Sequence, residues 1–273
     1  MASSKFGDYV LRLQNERLGI AEQTLMRVFK FLSKKFALDN LTKHRIKISE
    51  YRDMNDPFEL RGAALSDPEL QKQLTQLIRS SGALCFSRNW RNPMLWSHYG
   101  DKHKGICLGL DLQVDLAVVQ EPRYIEAPQV LDTGALLAVA ASIETPEADE
   151  AFREAETVFA VPPAAVVANP AFHELEKMVG ALLLTKFKAW SYEDEVRILV
   201  GLREDQKEGA LYFAELDESI RPGVVIVGPR CSITKSEIEA AVSGYSMPIA
   251  VVQAILSPTS FEVIEGTIGF SRA

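Results

Sequence analysis

Short runs of β-branched or alternating apolar residues recur along this chain, separated by capped helix starts of unequal length rather than by one repeated crossover. Residues 28–31, 83–87, 105–111, 196–200, 224–227, 249–254 and 261–264 read as strands, and Ile46 and Ile48 alternate with polar neighbours as in a half-buried strand. Helices are announced by their caps. Ser33 precedes a helix to residue 41, and Ser66, Asp67, Pro68 and Glu69 form a capping box before the stripe Leu70, Leu74, Leu77 and Ile78. Asn92 and Pro93 open a helix over 94–99 that Gly100 stops, Asn169 and Pro170 open another, and Thr234 with Glu237 caps one ending near Gly244. A helix is also expected over 8–26, and an alanine-rich, acidic stretch with Pro162 and Pro163 reads as a helical insertion or lid over 130–185. Without a regular strand-helix-strand rhythm the expected class is α+β. The architecture would be a mixed, mostly antiparallel sheet core with flanking helices, in a single elaborated domain over 1–273.

Charge and cysteine content narrow the functional classes. With 30 basic and 37 acidic residues the net charge is -7, which opposes sequence-independent attraction to a phosphate backbone and leaves only a local basic groove for nucleic acid. Three widely spaced cysteines do not make a disulfide framework. The first eight residues lack a signal peptide's apolar core, and the apolar run over 135–141 is too short for a bilayer, so a cytoplasmic protein with no membrane partner is expected. His98, Asp101, His103 and Cys107 lie close together but match no zinc spacing, and no metal is expected. Dinucleotide-fold, P-loop and hydrolase-elbow motifs are absent from the sequence.

Three segments concentrate reactive side chains. Residues 96–105 place Trp96, His98 and Tyr99 at a helix end beside a glycine turn, where an imidazole can shuttle a proton near neutral pH. The alternative is that Trp96 and Tyr99, three apart on a helix, pack inward while His98 and His103 are solvated. Residues 190–197 run from Trp190 through an acidic loop into a strand, and alternation puts Glu193, Glu195 and Arg197 on one face if that strand starts early. The alternative there is an exposed Glu195–Arg197 ion pair worth up to about 1 kcal/mol. In the turn over 55–59, Asp56 or Asn55 holds the local backbone in an Asx-type turn, or Asp56 instead anchors a basic site residue.

Taken in order, Phe29-Lys30-Phe31, Asn55 to Phe58, Cys85-Phe86-Ser87, Trp96 to Tyr99 with the strand over 105–111, and Trp190 to Arg197 resemble the bacterial family known as domain of unknown function 2971. Val196 departs from the tryptophan usual there. The motif layout is also similar, distantly, to the ADP-ribosyltransferase superfamily, an analogy at the level of fold. That resemblance implies NAD as substrate, with Lys30 near the nicotinamide ribose, Tyr99 or Trp96 stacked on a ring and Glu195 stabilising the ribosyl cation. It makes Glu195, His98 and Tyr99 candidate catalytic groups, and Lys30, Trp96, Trp190, Arg197, Asn55 and Asp56 candidate binding groups. NAD hydrolysis or ADP-ribosyl transfer in a defence or toxin-like setting, on a protein or nucleic-acid target, is the activity implied. A non-catalytic module that senses a nucleotide or binds a protein is the alternative. A metal-dependent nuclease using Asp56, Glu59, His98 and Glu195 is a third reading.

Overall fold

The computed structural model describes residues 24–59, 63–65, 81–114, 119–131 and 183–266. Strand β1 (Thr24–Leu32) leads into helix α1 (Lys34–Thr42), whose first turn is capped by the Ser33 hydroxyl accepting from the Phe36 amide. Next come β2 (Arg45–Glu50), β3 (Ala63–Leu65), β4 (Ser81–Ser87), helix α2 (Pro93–His98) and β5 (Ile106–Val114). Short strands β6 (Val119–Gln120), β7 (Arg123–Ile125), β8 (Gln129–Leu131) and β9 (Thr185–Phe187) precede β10 (Glu195–Gly201). The chain continues through β11 (Lys207–Glu208), β12 (Leu211–Glu215), β13 (Ile220–Val227), helix α3 (Lys235–Val242), β14 (Ala250–Leu256) and β15 (Val263–Glu265).

Eleven of these strands form one mixed sheet in the order β11-β12-β2-β4-β1-β5-β13-β14-β15, with β10 on β4 and β6 on β10. Its pairings are antiparallel except for β13 with β14, which α3 connects. The class is therefore α+β, as expected. Strand alternation divides the core between the two faces. Val28, Leu84, Phe86, Leu108, Leu110, Val196, Ile198, Val225 and Val227 pack with Ala37 and Leu41 of α1 and Ile238 and Ala241 of α3. Phe31, Cys107, Val224 and Ile226 face the other way, against Leu95 and Trp96 of α2.

The sheet forks at β4. One edge of β4 pairs with β10 from Ser81 to Ser87. On the other edge Ser87 pairs with Phe29 of β1, whereas Ala83 and Gly82 pair with Ser49 and Glu50 of β2. The middle of β4 therefore lies where β1 and β2 diverge, and a cavity opens there. The turn before β5 locks onto β1 by close backbone approach: a Cβ at Gly105 would sit 2.1 Å from the Leu32 carbonyl oxygen, which only glycine avoids.

Several expectations meet different outcomes. Residues 24–26, placed at the end of an N-terminal helix over 8–26, belong to β1, since their register with β5 runs on to Val114; the rest of that helix lies outside the described residues. At the ends of the insertion expected over 130–185, β8 pairs with β3 and β9 pairs with β7, both parallel. Residues 132–182 and the helix capped by Ser66 lie outside the described residues. No described helix is long and apolar enough to cross a membrane.

Candidate active site

The cavity at the fork has a volume of about 240 Å³. Phe29, Lys30 and Phe31 of β1 and Cys85, Phe86 and Ser87 of β4 line it on the sheet side, with Leu95 and Tyr99 from α2 and its end. Asn55 and Met54 come from the loop after β2. Ser49 and Asp53 add polar groups to the apolar surface of Phe29, Phe31, Met54, Phe86 and Leu95. A buried ionic cluster of Glu59, Lys186, Glu193, Glu195 and Arg197 completes the lining.

Arg197 organises that cluster. Alternation along β10 turns Glu195 and Arg197 to the same face, and the guanidinium is fully buried. Its five N–H donors all have acceptors. Nε and Nη2 donate to the two Glu195 oxygens at 2.8 and 3.0 Å, Nη1 and Nη2 donate to Glu59 at 3.1 and 2.6 Å, and Nη1 also donates to the Leu183 carbonyl at 2.9 Å. Lys186 from β9 adds a second cation, 2.8 Å from Glu195 Oε2 and hydrogen-bonded to Glu193, whose other oxygen accepts from the Tyr99 hydroxyl.

Glu193 precedes β10. It lies at the end of a 3-10 turn, Lys188–Glu193, and reaches the cluster because Asp194 is left-handed, with φ 45°. That conformation is uncommon outside glycine, although aspartate tolerates it better than most residues. It turns the chain between the loop and the strand so that both carboxylates enter one cavity. Behind the cavity wall, Trp96 packs edge-on to Phe31 with ring centroids 5.1 Å apart, and its indole N–H donates to the Trp90 carbonyl at 2.6 Å.

The two carboxylates titrate in opposite directions. Burial opposes the charge on Glu195, but the guanidinium of Arg197 and the ammonium of Lys186 outweigh it and hold the carboxyl down at about 2. Burial pushes Glu193 up, and Lys186 and the Tyr99 hydroxyl offset this only in part. Burial and the nearby Glu193 charge raise the Tyr99 phenol, so it remains a hydrogen-bond donor at neutral pH. Burial lowers the Lys186 ammonium, yet Glu195, Glu193 and Glu59 together raise it overall. The Cys85 thiol on the cavity floor is pushed up to about 12 by burial and the charge of Glu195, so it stays protonated.

The structure brings together Lys30, Asn55, Tyr99, Glu195 and Arg197 in this one cavity. It does not bring in His98, which is exposed on α2 with its ring 6.0 Å from that of Tyr192 and lies outside the cavity lining. The helical turn that points Tyr99 inward rotates its neighbour outward. Trp96 is core, not a ligand contact, because it sits on the buried face of α2. Trp190 lies beside the cavity, with Lys186 Nζ 5.4 Å from its ring centroid. Asp56 holds the local turn by accepting from the Phe58 amide at 2.9 Å. The Glu195–Arg197 pair is buried, not solvent-exposed. Sequence reading missed Lys186, Cys85 and the phenylalanines as site residues. Lys186 carried a faint signal, as a lysine beside Phe187 shortly before the acidic loop.

Residues 95–198 match the model of a family described as protein of unknown function (DUF2971). The matched segment runs from α2 to β10 and so carries Tyr99, Lys186, Glu193, Glu195 and Arg197, while Lys30, Glu59 and Cys85 reach the cavity from outside it. Neither a curated protein nor a solved structure matches the chain. Among the described residues no group of three His, Cys, Asp or Glu side chains is arranged to hold a metal ion.

Proposed function

We propose that this chain is a nucleotide-directed enzyme that breaks the bond at the ribosyl carbon of NAD, either hydrolysing it or transferring the ADP-ribosyl group. The observation that carries this reading is the pairing of Glu195, whose proton affinity its cations lower, with Glu193, whose proton affinity burial raises so that it is the stronger base of the two, in a single cavity lined by Phe29, Phe31 and Phe86. Two carboxylates whose environments separate their proton affinities are equipped for two roles. Glu195 supplies negative charge where a ribosyl carbon becomes cationic. Glu193, held between the Tyr99 hydroxyl and Lys186, takes the proton from an attacking hydroxyl or water. Phe29 and Phe31 exclude bulk water from that face. The choice of NAD follows the resemblance of the motif layout to the ADP-ribosyltransferase superfamily. At about 240 Å³ the cavity is smaller than the roughly 300–1,000 Å³ of sites for drug-sized ligands, so it accommodates one mononucleotide-sized end of such a substrate.

A second reading has its own support. Both Glu195 oxygens are already engaged by Arg197 and Lys186, as in a carboxylate with a structural duty, which favours a module that senses a nucleotide without changing it. Incubation with NAD separates the two, because an enzyme releases nicotinamide and a sensor gains thermal stability without product. On the enzyme reading, Glu193→Gln lowers nicotinamide release about 10²–10⁴-fold, the usual range for a lost proton carrier, with little change in melting temperature. Undiminished release by that variant removes Glu193 from the reaction.

A further inference from the structure

Four rings from two elements form a continuous strip beside the cavity. His98 and Tyr99, at the end of α2, have ring centroids 6.3 Å apart, and Tyr192 and Trp190, on the 3-10 turn Lys188–Glu193, have theirs 6.0 Å apart. His98 joins the two pairs, with its ring 6.0 Å from that of Tyr192. The strip is tied to the cavity at both ends. Tyr99 lines the cavity and donates to Glu193, while Lys186, also in the lining, lies 5.4 Å from the Trp190 ring centroid. Asn92 Nδ2 donates to the Tyr192 carbonyl at 2.9 Å, which docks the turn on the start of α2 and fixes the spacing of the rings.

These rings are partly open to solvent and are not packed as the protein packs its finished ring pairs. His98 is exposed, and Tyr99, Trp190 and Tyr192 are half-buried. Aromatic pairs gain most when offset-parallel or edge-to-face. Elsewhere the fold reaches both arrangements: His44 and Tyr245 lie 4.1 Å apart at 8°, and Phe31 and Trp96 lie 5.1 Å apart at 89°. Along the strip the interplanar angles are 55°, 31° and 35°, so its rings are tilted to one another and leave π surface that a further planar ring can cover.

The size of the cavity gives that surface a use. On the nucleotide reading, on which this inference rests, about 240 Å³ holds one mononucleotide-sized end, so the second ring system of a dinucleotide must lie outside the cavity. Aromatic side chains stack on any base, because every base has a π face. We infer that His98, Tyr192 and Trp190 form a base-stacking subsite that holds the adenine end of the dinucleotide beside the cavity. The imidazole of His98 can also donate to or accept from the edge of the base. Neither His98 nor Trp190 lines the cavity itself, and the subsite gives both a role.

Adenosine, which carries the base without nicotinamide, tests the subsite by titration into the full chain with tryptophan fluorescence as the readout. A base stacked on Trp190 quenches its emission. The expected result is saturable quenching that is lost in Trp190→Phe, with Kd raised about tenfold in His98→Ala and in Tyr192→Leu, within the range for one lost stacking partner. Phe261→Ala, which removes an exposed ring outside the strip, should bind as wild type. His98 is exposed, so His98→Ala should keep the wild-type melting temperature. Absence of saturable quenching, or adenosine binding unchanged in both His98→Ala and Tyr192→Leu, overturns the inference. A chain that binds adenosine through the strip but releases no nicotinamide from NAD keeps this inference and loses the ribosyl reading. One that releases nicotinamide but does not bind adenosine loses this inference alone.

Discussion

Glu193 and Glu195 are two residues apart and share Lys186, yet their surroundings drive them in opposite directions, and that difference has a consequence for stability. Glu195 titrates at about 2 in the fold against an ordinary 4.5, so its contribution, on the order of 3 kcal/mol, is fully present above pH 4.5 and is lost as pH falls toward 2. Glu193 has the opposite sign. Its raised value makes the fold most favoured while it holds its proton, below 4.5, and that contribution is lost as pH rises through the folded value. Urea unfolding from pH 2.5 to 7 should therefore show a steep gain in stability up to about pH 4.5, flattened in Glu195→Gln, and a shallower decline above it, absent in Glu193→Gln. An unchanged acid slope in Glu195→Gln would contradict the assignment. That variant should also be less stable at pH 7 by on the order of 3 kcal/mol, since two buried cations lose a partner while Glu59 and Glu193 remain to them.

At the scale of elements, the left-handed Asp194 decides where the candidate site forms. It ends the 3-10 turn, its carbonyl accepts from the Arg88 amide at 3.0 Å, and β10 starts at the next residue. A β-branched residue is strained in that conformation, so Asp194→Val should lower stability by about 1–2 kcal/mol in denaturant titration. Asp194→Asn should be nearly neutral. A valine variant as stable as wild type would mean that the loop does not need this conformation. Most elements were legible in the sequence because their signals are local: the Ser33 cap, the Asn92 and Pro93 helix start and the Thr234–Glu237 capping box all stand where the sequence placed them. The expectation that an early strand start puts Glu193 on one face with Glu195 and Arg197 reached the right side chain by the wrong geometry, since the strand starts at Glu195. A single positive φ has no reliable sequence signature at aspartate.

For the whole molecule, Arg197 joins β10 to Glu59 in the 55–59 turn and to the Leu183 carbonyl ahead of β9, so one guanidinium ties three distant stretches around the cavity. Arg197→Met keeps the stem's packing but leaves Glu59 and Glu195 buried without this partner, and it should cost about 3–5 kcal/mol at pH 7, less at pH 4 where the carboxylates take up protons. Equal losses at both pH values would show that packing, not charge, accounts for the defect. The sequence by itself determined the α+β class and most of the strands and helix caps, which follow from periodicity and capping that act within a few residues. Lys30, Asn55, Tyr99, Glu195 and Arg197 were named as candidates from clustered reactive side chains and a family resemblance, and periodicity had no part in naming Lys30. Only the tertiary structure decided that His98 faces outward, that Trp96 is core and that Lys186 and Glu59 complete the cluster. It alone also left Lys30 outside the ion pairs, because burial and pairing depend on the fork between β1 and β2, where segments far apart in the chain meet.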